Sequence, residues 1–232
     1  MRRLTSIAQI LGFAAIAACS APPAEPEAVG ATDSAQTAPW DCYAPEPGHP
    51  SPAEKAAFLT QAGQSALKAE RTYGIPASAI LAMAAVEGGY GFTRTAQYAN
   101  NSFGYKFVSA AAAGGRGKYT LSCQPDWDVG NEYIVFSSLE DGILFVSYKL
   151  ANRNDWVNYK VVTDAYRAAR LANPDADPTS AVDAWMDGIA DAGYNYDPPT
   201  YKRTIKGAIA ANDLYRFSAS AVPGQSTTPP AP

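Results

Sequence analysis

Apolar positions recurring at helical spacing after legible caps, interrupted once by short β-prone runs between glycine-rich turns, predict an α+β domain that is mostly helical with one small β-lobe. The flanks differ in composition: residues 20–50 are rich in Ala, Pro and Glu, and residues 218–232 in Ser, Thr, Pro and Ala. Such segments bury too little apolar surface to offset the entropy of ordering, so the first reads as a disordered tether and the second as a disordered tail. The folded part is expected over residues 51–217, long enough to bury a core without help from metals.

The elements follow in chain order. Arg2 and Arg3 precede an apolar run from Ile7 to Ala18 that is too short to span a bilayer and reads as an export signal. It ends Ile16-Ala17-Ala18-Cys19, which resembles a bacterial lipobox, so residues 1–19 are expected to be a lipoprotein signal with Cys19 acylated. Ser20 resembles the outer-membrane sorting pattern, which implies an anchored protein at the periplasmic face of that membrane. The tether would then reach roughly 30 Å from the lipid. With Cys19 modified, Cys42 and Cys123 remain as an even pair in an oxidising compartment, and a disulfide between them is expected.

Ser51-Pro52-Ala53-Glu54 places a capping serine, a proline at the first helical position and a capping-box glutamate, opening a helix that runs to Gly74. Pro76 opens a second helix through Ile80, Leu81, Met83, Ala84 and Val86, apolar enough to be the core helix, which stops at Gly88-Gly89. Residues 104–108, 119–122 and 133–136 are the β-prone runs. Leu139, Ile143, Val146 and Leu150 then share a helical face after a capping box at Ser137 and Glu140. Val182, Trp185, Met186 and Ile189 repeat the spacing after Asp177-Pro178, and Tyr201, Ile205 and Ile209 after Asp197-Pro198. Met and Trp at these spacings are core packing rather than a cofactor box.

Charge excludes several functions. A formal charge of -4, with basic residues scattered along the chain, gives no field for neutralising phosphates, so nucleic acid is not an expected partner. The single histidine, His49, lies in a proline-rich stretch, which argues against a histidine zinc site or an imidazole triad. No cofactor or metal is expected.

Glu87 closes the apolar second helix. Desolvation and the negative end of the helix dipole both disfavour a charged carboxylate there and raise its pKa. A carboxyl kept protonated near neutral pH is what protonation of a leaving sugar oxygen requires. A glutamate at a helix end is more often a solvated surface residue, so the surrounding motifs decide.

Those motifs are Gly74 to Gly91, which contains Val86-Glu87-Gly88-Gly89-Tyr90-Gly91, then Asn100-Asn101-Ser102-Phe103-Gly104-Tyr105-Lys106, and finally Ala192 to Tyr201. Together they resemble the glucosaminidase family, glycoside hydrolase family 73, which includes flagellar peptidoglycan hydrolases and autolysins. The family pattern is an apolar helix ending Glu-Ser-Gly-Trp-Gly, then Asn-Asn-Leu-Phe-Gly-Ile-Lys, then Tyr-Ala-Thr-Asp-Pro-x-Tyr. This chain departs from it at Gly88, Tyr90, Ser102 and Tyr105, and carries one extra residue before Tyr201. The resemblance covers roughly residues 52–216 and implies a lysozyme-like domain whose groove lies between helices and the β-lobe.

By that resemblance the partner is the glycan strand of peptidoglycan and Glu87 is the acid. Tyr194 stands near the scissile bond, Asn100, Asn101, Phe103 and Gly104 shape the groove, and Tyr90 offers an aromatic face to a sugar. Many family members place a second carboxylate in the β-lobe. No glutamate falls in register here, so Asp126 is the candidate, with Asp128 and Glu132 behind it. The 2-acetamido group of the substrate can otherwise supply the nucleophile. The expected reaction is hydrolysis of the β-1,4 bond following N-acetylglucosamine. Two alternatives stay open: a lytic transglycosylase or muramidase of similar fold, and a wall-binding lipoprotein without turnover.

Overall fold

The structure, a computed structural model, describes residues 48–122, 130–153 and 157–232. Cys19, Cys42, Cys123, Asp126 and Asp128 lie outside the described residues, and with them the expected lipid anchor and disulfide.

Helix α1 (Pro52–Tyr73) starts as its sequence dictates: Ser51 Oγ accepts from the Glu54 amide, and the Glu54 carboxylate accepts from the Ser51 amide. It ends where Gly74 takes a left-handed conformation, with φ of 67°, and its amide returns to the Glu70 carbonyl. Helix α2 (Ala77–Glu87) is buried on all sides from Ala77 to Ala85. It packs against α1, α4 (Leu139–Asn152), α6 (Thr179–Ile189), α7 (Pro198–Ala211) and α8 (Tyr215–Ala219). A helix with neighbours on every side needs no polar face, which is why its residues show no amphipathic stripe.

After a 3-10 turn at Gly89–Gly91, the short helix α3 (Arg94–Ala99) leads into the β-lobe. There β1 (Lys118–Thr120) pairs antiparallel with β2 (Glu132–Ile134), Tyr119 opposite Tyr133. The first of the three β-prone runs contributes a single bridge, Lys106 to Tyr133. Local chemistry accounts for the difference: Gly104 is left-handed, with φ of 56°, and the Tyr105 amide donates to the Asn101 side chain instead of to a strand.

The cap of α4 sits one residue later than expected. Ser138 Oγ accepts from the Asp141 amide, while the Asp141 carboxylate reaches back to the amide and hydroxyl of Ser137. Asp141 also pairs with Arg116, Nη2 to Oδ1 at 2.5 Å and Nε to Oδ2 at 3.0 Å, both side chains being buried. Helices α3 and α5 (Tyr159–Ala172) have no counterpart in the apolar periodicity of the sequence. In α5 the buried face consists of Tyr159, Thr163, Tyr166, Arg167 and Arg170, so two guanidinium groups stand where hydrophobic side chains would announce a helix.

Residues 218–232, expected as a disordered tail, are described in contact with the domain. Ser218 is buried in α8, and its hydroxyl lies 2.7 Å from that of Ser78 in α2. Beyond it the chain crosses the end of α1, the Gly224 amide donating to the Glu70 carbonyl and the Ser226 amide to the Thr72 carbonyl, both at 2.8 Å. The Tyr73 hydroxyl donates to the Thr228 carbonyl, and Arg116 Nη2 donates to the carbonyls of Pro230 and Ala231. The crossing is so close that a Cβ on Gly224 would stand 2.0 Å from the Arg71 carbonyl oxygen. The segment offers little apolar surface, as its composition says, but its backbone polar groups find buried partners.

Candidate active site

Three separate stretches of sequence meet at the C-terminal end of α2. Gly88, directly after Glu87, lies against Ser102: a Cβ on it would stand 2.7 Å from the Ser102 Cβ and 2.7 Å from the Ala84 carbonyl. Both positions depart from the family pattern, and they touch each other, so small side chains at both let the end of α2 seat on the Asn-Asn segment. From the other side, the Tyr201 hydroxyl in α7 donates to Glu87 Oε1 at 2.5 Å. The Tyr194 hydroxyl approaches Oε2 at 3.4 Å.

The position of each phenol is local chemistry. Asp197 caps α7 by accepting from the Thr200 amide, and prolines at 198 and 199 occupy the first helical positions. Tyr201 follows within the first turn, so the extra residue before it is taken up at the helix start. Tyr194 ends a π-helical turn (Ala190–Tyr194) and is aimed by Gly193, whose φ is 92°. The two rings pack at 5.6 Å between centroids, and Tyr159 lies 6.3 Å from Tyr194.

Burial pushes the Glu87 carboxyl up to about 8, against the opposing pull of the Tyr201 and Tyr194 hydrogen bonds. The residue as a whole is nevertheless only half-buried. Both phenols are held well above the usual range, first by burial and then by the charge of Glu87, so they stay protonated donors. At neutral pH the site is therefore a neutral carboxylic acid flanked by two hydroxyl groups.

Other expected site residues take different places. Tyr90 sits in the left-handed region, with φ of 54°; Phe58 packs edge-on against its ring and Lys55 Nζ lies 5.1 Å from its centroid. One side of the ring is thus already occupied by α1. Asn100 is left-handed at the end of α3, exposed, and donates to the Phe136 carbonyl. Asn101 is fully buried; its Nδ2 donates to the carbonyls of Tyr105 and Ile134, and its Oδ1 accepts from the Tyr105 amide. Phe103 belongs to the hydrophobic core. Asn101 and Phe103 face the interior, where they hold the Asn-Asn segment against the β-lobe. Glu132 forms an ion pair with Lys118 across the two strands. Among the described residues, no group of three or more His, Cys, Asp or Glu side chains could hold a metal ion.

Sequence reasoning missed Tyr201 as the closest partner of Glu87 and Glu70 as a second buried carboxyl. Tyr201 was legible as core periodicity, which hid its hydroxyl. Glu70 is fully buried in α1, accepts from the Tyr166 hydroxyl at 2.5 Å and from the Ala77 amide at 2.7 Å, and is raised by burial to about 7.

A carboxyl held protonated at the end of a buried helix and flanked by two phenols has the chemistry that acid-catalysed glycoside cleavage requires. The sequence matches the Glucosaminidase family, described as mannosyl-glycoprotein endo-beta-N-acetylglucosaminidase, over residues 63–214, and the chain belongs to that family. Among solved structures, the catalytic domain of the autolysin Auto from Listeria monocytogenes is similar: 19% identity, 72% of this chain and 89% of that one covered, TM-score 0.53. An N-acetylmuramoyl-L-alanine amidase from Staphylococcus aureus also resembles it, at 18% identity, 74% of this chain and 45% of that one, TM-score 0.52. At these identities the likeness is one of fold. No curated protein matches the sequence.

Proposed function

We propose that this protein is a peptidoglycan hydrolase, an endo-β-N-acetylglucosaminidase that cleaves the β-1,4 bond following N-acetylglucosamine with Glu87 as general acid. The observation that carries the reading is the Glu87 carboxyl, raised to about 8 by burial at the end of the core helix of a glucosaminidase-family domain. Peptidoglycan is favoured as the substrate because the fold is shared with the catalytic domain of an autolysin. In the reaction Glu87 gives its proton to the glycosidic oxygen as the C1–O bond breaks, leaving a carboxylate that can be reprotonated from solvent. The nucleophile is a water activated by Asp126, or the 2-acetamido oxygen of the sugar itself. The first route inverts the anomeric centre and the second retains it, so the anomer first released distinguishes them.

Digestion of purified sacculi with mass analysis of the fragments tests the activity. Fragments ending in a reducing N-acetylglucosamine are expected. Anhydro ends would indicate a lytic transglycosylase, and binding without fragments a wall-binding protein. The anchoring of the chain through an acylated Cys19, with a Cys42–Cys123 disulfide between tether and β-lobe, belongs to the same proposal. Metabolic labelling with a fatty-acid analogue and non-reducing peptide mapping test those two points. An unlabelled protein, or two free thiols, would remove them.

A further inference from the structure

We propose that Tyr201 is a positioning residue that fixes which oxygen of Glu87 carries the transferable proton. The inference rests on Glu87 being the acid, and it goes beyond that by assigning the proton to Oε2. A carboxylic acid has one oxygen that accepts and one that bears hydrogen. The Tyr201 hydroxyl donates to Oε1 at 2.5 Å, so Oε1 is the accepting oxygen. The hydrogen is left on Oε2, whose contact with Tyr194 is long at 3.4 Å and yields readily to a substrate oxygen.

The two tyrosines differ in how firmly they are held. Tyr201 is buried, within the first turn of α7, its amide bonded to the Asp197 carbonyl at 3.0 Å. Tyr194 is half-buried at the end of a π-helical turn, next to a glycine with positive φ. A rigid donor on one oxygen and a loose neighbour on the other is the arrangement that orients a carboxyl without trapping its proton. Tyr194 accordingly stands beside the reacting oxygen, whereas Tyr201 acts only through Glu87.

A Tyr201→Phe variant, which keeps the ring, tests this by two readouts of opposite sign. Losing a donor to the carboxylate raises the Glu87 pKa, so the basic limb of kcat/KM should move upward by about one pH unit. The plateau below it should fall at least about tenfold, because the carboxyl is free to rotate. A purely structural role would lower the plateau without extending the limb. Carbon-13 titration of the Glu87 carboxyl in the free protein reads the same shift without turnover, so it stands apart from the activity of Glu87→Gln, which tests the acid assignment itself. A fluorinated tyrosine at 201, a stronger donor, should displace the titration downward and serves if the Phe variant does not fold. An unmoved or reversed titration in these variants overturns the proposal.

Discussion

On the proposed mechanism Glu87→Gln keeps the shape of the side chain and removes the transferable proton, so turnover of sacculi should drop by about 10²- to 10⁴-fold while the fold is retained. Assays of muropeptide release beside circular dichroism check this, and retention of more than about a tenth of wild-type turnover would remove Glu87 from the mechanism. Because the acid must be protonated and burial places it at about 8, wild-type kcat/KM should decline as pH rises through that value. Asn101→Ala should instead act on stability, by about 2–4 kcal/mol, since it leaves the Tyr105 amide and two carbonyls of the β-lobe without their partner. Thermal melts measure it. At this scale Glu87 was legible, as a single carboxylate closing an apolar helix. The work of Asn101 was not, because the letters of a motif do not say whether a carboxamide faces the groove or the backbone behind it.

Among the elements, α1, α2 and α7 could be read from caps and apolar spacing, since each begins at Ser-Pro, Pro or Asp-Pro and buries aliphatic side chains. Helix α5 could not, because its inward face is closed by Arg167 and Arg170 bonding to carbonyl oxygens, among them those of Tyr73 and Ser218. The C-terminal segment escaped notice for a related reason: hydrogen bonds to backbone carry it, and composition does not record those. Truncation after Ala221 would strip Arg116 of the Pro230 and Ala231 carbonyls and uncover the C-terminal end of α1. A loss on the order of 2 kcal/mol is expected. Hydrogen exchange should show faster opening around residues 113–120 and in the first turn of α4, where Arg116 meets Asp141. An unchanged melting temperature and exchange pattern would mean that the segment merely lies on the surface.

For the molecule as a whole, two desolvated carboxyls bear on the dependence of stability on pH. Burial raises Glu70 to about 7 and Glu87 to about 8, from an ordinary value of 4.5. Between the unfolded and folded values the native state binds more protons than the unfolded chain, so stability falls as pH rises through that window and levels off above it. Melting temperatures should therefore decrease from pH 5 to pH 8.5, and Glu70→Gln or Glu87→Gln should each flatten part of the decline; a rise across the interval would contradict both shifts. The molecule is thus expected to be less stable in the alkaline range in which Glu87 has given up its proton.

The crossing of the C-terminal segment over α1 also bears on where this molecule should be divided. The family match runs from residue 63 to residue 214, which bisects α1 and stops before α8. Yet the capping box at Ser51 and the carbonyls that meet Arg116 both lie beyond those limits. A fragment cut where sequence similarity fades would lose the start of its longest helix and the segment that crosses its end. The family match and the hydrogen bonds of the structure draw different borders in this chain, and the hydrogen bonds reach further at both ends.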